Sequence, residues 1–240
     1  MAHKLSSSQT KSIDLQSDLM MQLMANPELS LQQDSLIAGV DEVGRGCLCG
    51  SVVAGVVVIR VQDIFQLVNL GVTDSKKLTA KKREKLVPQI KEIVPAWQIW
   101  EIDSQTIDQI NILQASLLAM RKAIENLAVA PDLCLVDGNK LIPKLNYPQI
   151  TVVKGDLRSP IIGSASILAK VWRDQQMIDY HQQYPMYDLI NNKGYGTRKH
   201  REAIDKYGVT PQHRLSFSPC KLASQQLSIE DQLLSEKSNT

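Results

Sequence analysis

The stretch Leu36-Ile-Ala-Gly-Val-Asp-Glu-Val-Gly-Arg-Gly46 places an apolar run, two acidic residues and a glycine-rich turn one after another. Its first six residues, 36–41, are predicted to form a buried strand. A second strand is predicted over 51–60, where β-branched residues predominate. The connection between these strands is too short for a crossover helix, so we expect them to form an antiparallel pair.

The rest of the chain alternates segments of helical periodicity with short strand-like runs. Helices are predicted over 79–94, 104–127, 164–184 and 197–207, and strands over 96–102, 132–136 and 150–153. The helix over 104–127 is expected to be the longest, and Pro88 is expected to kink or split the first helix. This order of elements predicts an α/β domain with a mixed sheet.

The composition is that of an ordinary globular protein. Of its 240 residues 43% are hydrophobic and 22% are charged, so a core can form without disulfides or metal ions. The net charge of +2 indicates no particular partner, and any nucleic acid would need a local basic patch. Since no run of about 18 apolar residues occurs, no membrane-spanning helix is expected.

The two ends of the chain differ from its middle. Residues 1–33 and 223–240 are polar and are predicted to be extensions of a single domain over 34–222, with a short amphipathic helix over 15–24. The four cysteines show neither a CxxC pair nor the spacing of a zinc site. Reduced, buried thiols are therefore predicted, and they favour a cytoplasmic location.

Four acidic residues follow predicted strands. Asp41 and Glu42 follow the apolar run 36–40 of the first strand, and Asp137 and Asp156 follow two later strands. Clustered carboxylates at a sheet edge suit Mg²⁺ or Mn²⁺, which can activate water. The alternative is that they cap helices or form turns. Because adjacent strand residues face opposite sides, Asp41 and Glu42 share one site only where the strand ends, bulges or twists.

The turn Gly44-Arg45-Gly46 directly follows the acidic pair. Its glycines would let backbone amides approach a ligand, and its arginine could contact a phosphate. A plain hairpin turn is the alternative. The segment lacks the G-x-G-x-x-G pattern, and adjacent acids would repel a pyrophosphate, so a nucleotide-dependent oxidoreductase is not predicted.

Basic and aromatic residues provide further candidates for phosphate or base contacts. The densest basic cluster comprises Lys76, Lys77, Lys81, Lys82, Arg83 and Lys85. It is either a solvated helix face or a phosphate-binding surface. Tyr195 lies between two glycines, where a ring is well placed to stack on a base or sugar. His213-Arg214 could bind phosphate or stabilise local structure, and both interpretations stay open.

Seven motifs together resemble bacterial ribonuclease HII. They occur in that family's order and are Gly39–Gly46, Asp74–Leu78, Val136–Asn139, Lys154–Asp156, Ala165–Lys170, Lys193–Thr197 and His213–Phe217. The resemblance implies an RNase H-like fold with a mixed sheet flanked by helices and a small helical C-terminal part. It also implies cleavage of RNA in RNA–DNA hybrids, and 5′ to single ribonucleotides in duplex DNA, leaving 3′-hydroxyl and 5′-phosphate ends.

The same resemblance assigns roles to individual residues. The catalytic carboxylates, which would bind Mg²⁺ or Mn²⁺, are Asp41, Glu42, Asp137 and Asp156. The substrate-binding residues are Gly44, Arg45, Gly46, Tyr195, Lys76 and Lys170. The glycine-rich turn is expected to sense the ribose 2′-hydroxyl, and Tyr195 to stack on the sugar at the RNA–DNA junction. A monomer without membrane contact is expected.

The chain departs from the family beside the turn. Cys47, Cys49 and Ser51 stand where the family usually has proline, alanine and proline. These substitutions affect packing and leave all four acids in place. The acids favour a metal-dependent endonuclease over the alternative, a hybrid-binding protein that has lost cleavage.

Overall fold

The computed structural model describes residues 29–72 and 78–223. The predicted helix over 15–24 and most of both polar extensions lie outside these residues. The five strands are β1 (Leu36–Val43), β2 (Val52–Arg60), β3 (Ala96–Ile102), β4 (Leu133–Asp137) and β5 (Gln149–Val152). The helices are α1 (Ile64–Asn69), α2 (Ala80–Ile93), α3 (Ser104–Glu125), α4 (Gly155–Arg158), α5 (Pro160–Gln183), α6 (Leu189–Asn192) and α7 (Arg198–Tyr207).

The strands form one mixed sheet in the order β3-β2-β1-β4-β5. Strand β4 runs parallel to β1, with Ile37 opposite Leu133, and also parallel to β5. Every residue of β2 except Arg60 is buried, which explains its unbroken apolar sequence. Because β1 and β4 are parallel neighbours, their carboxyl ends lie at the same edge of the sheet. That edge carries the acidic residues.

Two of the predicted helices differ from expectation. Helix α2 continues through Pro88, since burying Leu86 and Ile90 is worth about 3–6 kcal/mol and offsets the ~3 kcal/mol cost of the proline. Helix α3 is interrupted at Asn111, whose φ is 66°. The Asn111 side chain accepts hydrogen bonds from the amides of Leu113 and Gln114 and so begins a new helical segment. The longest helix is α5, not α3.

The chain divides into two compact units, each built from three separate stretches. The first comprises the chain up to Val43, Ala54–Trp100 and Leu117–Val171. Its core consists of apolar residues from β1, β2, β4 and the helices α2 and α5. The second comprises Gly44–Val53, Glu101–Ser116 and the chain from Trp172. The assignment of residues 34–222 to a single domain stays a prediction.

The second unit has two small cores of its own. One gathers Leu48, Cys49, Tyr187, Leu189 and Ile204, and the other gathers Val52, Ile107 and Ala115. All four cysteines of the protein are buried free thiols, as predicted. Among residues 29–72 and 78–223, no helix is long and apolar enough to cross a bilayer.

Candidate active site

Three acidic side chains converge at the edge where β1 and β4 end. One carboxylate oxygen from each of Asp41, Glu42 and Asp137 lies within 4.8 Å of the others. Asp41 and Glu42 both lie inside β1, which runs on to Val43, two residues beyond the predicted end of the strand. Oδ1 of Asp41 accepts a 2.7 Å hydrogen bond from the backbone amide of the next residue, Glu42. The carboxylates of these neighbouring acids come together although the strand continues past them.

The Lys154-Gly155-Asp156 motif fixes the third acid. The Gly155 amide donates a 2.7 Å hydrogen bond to Oδ1 of Asp137. Lys154 adopts a left-handed conformation, with φ 56°, immediately before α4. A Cβ on Gly155 would lie 2.6 Å from Cδ1 of Ile162 and 3.1 Å from Oδ1 of Asp137, so this close approach requires glycine.

Asp156 is buried as the second residue of α4 and belongs to the same unit. It is not part of the group of three oxygens. Its charge nevertheless raises the pKa of both Asp41 and Asp137. Asp156 therefore lies within electrostatic range of the cluster, as expected of a fourth acidic residue.

The cluster strongly disfavours its own ionisation. Burial raises the pKa of Asp41 well above its usual range, and the charges of Glu42 and Asp137 raise it further, while a hydrogen bond with Ser166 lowers it. Burial also raises the pKa of Asp137, against the lowering effect of the Gly155 amide. A divalent cation would relieve this repulsion, and carboxylate oxygens are the donors that hard cations prefer. The donor set therefore fits a divalent metal ion.

In the second unit, the glycine-rich turn is joined to the segment that carries Tyr195. Gly44 has φ 93° and its Cα approaches the Arg173 side chain so closely that a Cβ would overlap it. Arg45 and Gly46 are exposed. Cys47 pairs with Tyr195 in an isolated antiparallel bridge. The turn is thus held by a distant part of the chain, and it is more than a plain hairpin.

Two fully buried arginines hold the residues that follow this turn. Arg173 donates to the carbonyl oxygens of Ser51 at 3.1 Å, Lys193 at 2.8 Å and Cys49 at 3.0 Å. Arg214 donates to the carbonyl oxygens of Gly50 at 2.9 Å and Arg45 at 2.8 Å. Both guanidinium groups therefore serve the backbone of this loop.

This burial decides one interpretation that the sequence left open. His213 and Arg214 are buried and stabilise local structure; they do not offer a phosphate site at the surface. Arg173 was missed entirely. The sequence did contain an indication that Arg173 is buried. Ala165, Ala169 and Arg173 follow one another at intervals of four and so lie on one face of the helix, and that face is buried.

The remaining basic candidates are dispersed. Lys76 and Lys77 lie outside the described residues. Lys81, Lys82 and Lys85 are exposed on α2, as on a solvated helix face. Arg83 is buried and donates to the carbonyl oxygen of Leu78 at 2.6 Å, so it is not available at that surface. Lys170 is half-buried in α5.

The profile of one protein family, ribonuclease HII, matches residues 38–220. The chain belongs to the ribonuclease HII family. A similar relative, a ribonuclease HII of Acaryochloris marina, is 56% identical over 185 residues, which cover 77% of this chain and 93% of the relative.

Two solved structures of similar proteins share the fold. The ribonuclease H2 of Pyrococcus horikoshii is 29% identical, with a TM-score of 0.69, and the match covers 80% of this chain and 98% of that one. A Bst ribonuclease HIII in complex with Mn²⁺ is 19% identical, with a TM-score of 0.65, over 82% of this chain and 71% of that one. The predicted RNase H-like fold class is confirmed.

Proposed function

We propose that this ribonuclease HII hydrolyses the RNA strand of RNA–DNA hybrids and incises duplex DNA on the 5′ side of single ribonucleotides. The products would carry 3′-hydroxyl and 5′-phosphate ends. The observation that supports this reaction is the convergence of Asp41, Glu42 and Asp137 within 4.8 Å. Three carboxylates held so closely, with the ionisation of Asp41 and Asp137 disfavoured by burial and repulsion, are suited to binding a cation and unsuited to a purely structural role.

The metal-binding residues in this proposal are Asp41, Glu42, Asp137 and Asp156, and the cation is Mg²⁺ or Mn²⁺. When bound, such a cation activates a water molecule and neutralises charge on the phosphate. The protein contributes orientation: the Gly155 amide fixes Asp137, and the Ser166 side chain fixes Asp41. No protein side chain acts as a nucleophile, because water attacks the phosphorus directly.

Recognition of the ribonucleotide is assigned to residues of the second unit. We propose that the backbone of Gly44-Arg45-Gly46 senses the ribose 2′-hydroxyl, and that Tyr195 stacks on the sugar at the RNA–DNA junction. Tyr195 is 44% exposed although the preceding Asn192 and Gly194 are buried, which suits a ring that meets a ligand. Lys76 and Lys170 are proposed as further substrate contacts. We expect a monomeric, cytoplasmic enzyme.

The test compares three labelled duplexes of the same sequence: an RNA–DNA hybrid, a DNA duplex with one ribonucleotide, and DNA alone. Each is incubated with Mg²⁺, Mn²⁺ or EDTA. We expect metal-dependent cleavage of the first two, a nick on the 5′ side of the single ribonucleotide, and intact DNA. Binding of the hybrid without cleavage in either metal would instead support the hybrid-binding alternative.

A further inference from the structure

A pair of buried histidines connects the Tyr195 loop to the segment after the glycine-rich turn. We propose that His200 and His213 are positioning residues, which fix the backbone of Tyr195 so that its ring is held ready for the substrate. This inference rests on the proposed role of Tyr195 in substrate binding. It concerns only residues of the second unit.

The hydrogen bonds of the pair form a continuous chain. Nδ1 of His200 lies 2.9 Å from the carbonyl oxygen of Tyr195. The Nε2 atoms of His200 and His213 are 3.0 Å apart. At the far end, the amide of Thr210 donates to Nδ1 of His213 at 3.0 Å. The exposed fractions of the two histidines are 0% and 2%, so water does not compete for these bonds.

The groups at the two ends of this series of hydrogen bonds determine which ring nitrogens carry protons, and both ends lead to the same assignment. A carbonyl oxygen only accepts, so Nδ1 of His200 carries a proton and its Nε2 does not. A backbone amide only donates, so Nδ1 of His213 is bare and its Nε2 carries the proton. His213 therefore donates through Nε2 to Nε2 of His200, and every donor meets an acceptor.

The surroundings keep both rings neutral. Burial lowers the pKa of His200, and burial together with the neighbouring His200 lowers the pKa of His213 to about 4. Near neutral pH each ring thus has one proton, as the chain of hydrogen bonds needs. The Tyr187 ring packs against both histidines, with its centroid 4.8 Å from that of His213.

The pair also closes a ring of backbone contacts. Cys47 is bridged to Tyr195, and Cys49 is bridged to His213. The hydrogen bond between the rings of His200 and His213 gives the two bridged segments a second connection, in addition to the backbone of residues 47–49. The Tyr195 amide donates to the carbonyl oxygen of Asn192 at 2.9 Å, so both polar groups of its backbone are engaged.

The Tyr195 side chain forms a hydrogen bond with the Cys47 side chain, and its ring is 44% exposed and can meet a ligand. Its Cε1 lies 3.8 Å from the position that a Cβ on Gly46 would occupy, beside the turn proposed to sense the 2′-hydroxyl. A fixed backbone lowers the entropic cost of holding the ring in place. The pair would therefore contribute to catalysis through Tyr195, without touching the substrate.

The first test is a double-mutant cycle between His200→Phe and Tyr195→Ala, read as kcat/KM on the single-ribonucleotide duplex. If His200 acts through Tyr195, His200→Phe lowers kcat/KM about tenfold in the wild-type background and less than about twofold beside Tyr195→Ala. Equal losses in both backgrounds, or no loss in the wild type, would overturn the inference. If Tyr195→Ala alone cleaves normally, the role of Tyr195 fails and the inference fails with it.

A second variant separates positioning from folding. His200→Asn keeps an amide that can donate to the Tyr195 carbonyl but does not reach His213, so it should retain more activity than His200→Phe at a similar melting temperature. Equal activity of the two would contradict the inference. If the wild-type protein cleaves no duplex at all, the proposed function itself is wrong.

The third test uses the unaltered protein, so it does not depend on how variants fold. Long-range ¹H–¹⁵N correlation spectra at pH 7 report which ring nitrogen of each histidine is protonated. We expect the proton on Nδ1 of His200 and on Nε2 of His213. A proton on Nδ1 of His213, or a doubly protonated ring in either residue, would overturn the proposed arrangement.

Discussion

The amide of Gly155 donates a 2.7 Å hydrogen bond to Oδ1 of Asp137 and so links the start of α4 to the end of β4. The Asp137 carboxylate is therefore oriented by backbone, which cannot change rotamer. Asp41 is oriented in the same way by the Glu42 amide. Two of the three clustered acids are thus held in place by the fold itself.

Replacing Gly155 should disturb this arrangement. In Gly155→Ala the new Cβ would lie 2.6 Å from Cδ1 of Ile162 and 3.1 Å from Oδ1 of Asp137, so the Ile162 side chain or the start of α4 must shift. We expect the cleavage rate to fall ~10–100-fold and the free energy of unfolding to fall by about 1–3 kcal/mol. Cleavage rates and urea unfolding measure the two effects. Adding Ile162→Val, which removes Cδ1, should restore part of both, and a failure to restore either would contradict this explanation.

Divalent cations should stabilise the folded protein. Because the pKa values of Asp41 and Asp137 are raised in the folded protein, keeping both acids ionised near neutral pH lowers the free energy of unfolding. A bound cation offsets this loss of stability. At ten times its Kd, a cation adds about 1.4 kcal/mol, which raises Tm by ~3–6 °C in a protein of this size. Thermal melts in EDTA, Mg²⁺ and Mn²⁺ measure the shift. An equal shift in Asp137→Asn would place the bound cation elsewhere.

The buried guanidinium of Arg173 should be essential for stability. Arg173→Met fills a similar volume but leaves three carbonyl oxygens without their donor. Each such loss costs about 1–3 kcal/mol, so we expect a destabilisation of at least about 3 kcal/mol in urea unfolding. The matched control is Arg198→Met, whose side chain is 87% exposed and paired only with Glu202; it should cost less than about 0.5 kcal/mol. Similar values for both variants would refute the role of Arg173.

Acid should destabilise the protein through His213. Its pKa is lowered from 6.5 to about 4 in the folded state, so below pH 6.5 the unfolded chain binds a proton at His213 more readily than the folded protein does. The free energy of unfolding therefore has its full value above pH 6.5 and decreases as pH falls towards 4. The loss amounts to roughly 3 kcal/mol. The difference in unfolding free energy between the wild type and His213→Phe, measured across this range, isolates the effect from that of the carboxylates. A difference that does not change with pH would show that His213 is not buried as a neutral ring.

Local sequence patterns predicted the elements well where one signal dominated. The helix predicted over 197–207 is α7 with Thr197 as its N-cap, and the strand over 96–102 has the predicted bounds. The break at Asn111 was missed because the apolar stripe continues across it, while the cause lies in one side chain, that of Asn111, which accepts hydrogen bonds from two amides. At Pro88 a kink or split was predicted and the helix continues. The free-energy cost of the proline is offset by the burial of neighbouring side chains, which a local sequence pattern does not reveal.

The candidate site was predicted in its residue types but not in its geometry. The acids were identified because they interrupt apolar runs. Their convergence depends on the parallel pairing of β1 with β4, which joins segments almost a hundred residues apart. The contacts of the two arginines were not predicted because they are to backbone at least 20 residues away in sequence. The histidine pair was not predicted because its central hydrogen bond joins two buried side chains. Such partners become visible only in the folded chain.

The most direct test of the metal-dependent carboxylate cluster is the single-turnover rate of nicking at one ribonucleotide in Asp137→Asn. The asparagine keeps an oxygen for the Gly155 amide and removes one charge from a repelling cluster, so the protein should fold as well as the wild type. We expect the rate in Mg²⁺ or Mn²⁺ to fall about 100-fold or more, roughly 3 kcal/mol, with binding largely retained. Asp34→Asn, at an exposed position, should cleave normally. Wild-type cleavage by Asp137→Asn would contradict the assignment of this cluster as the catalytic site.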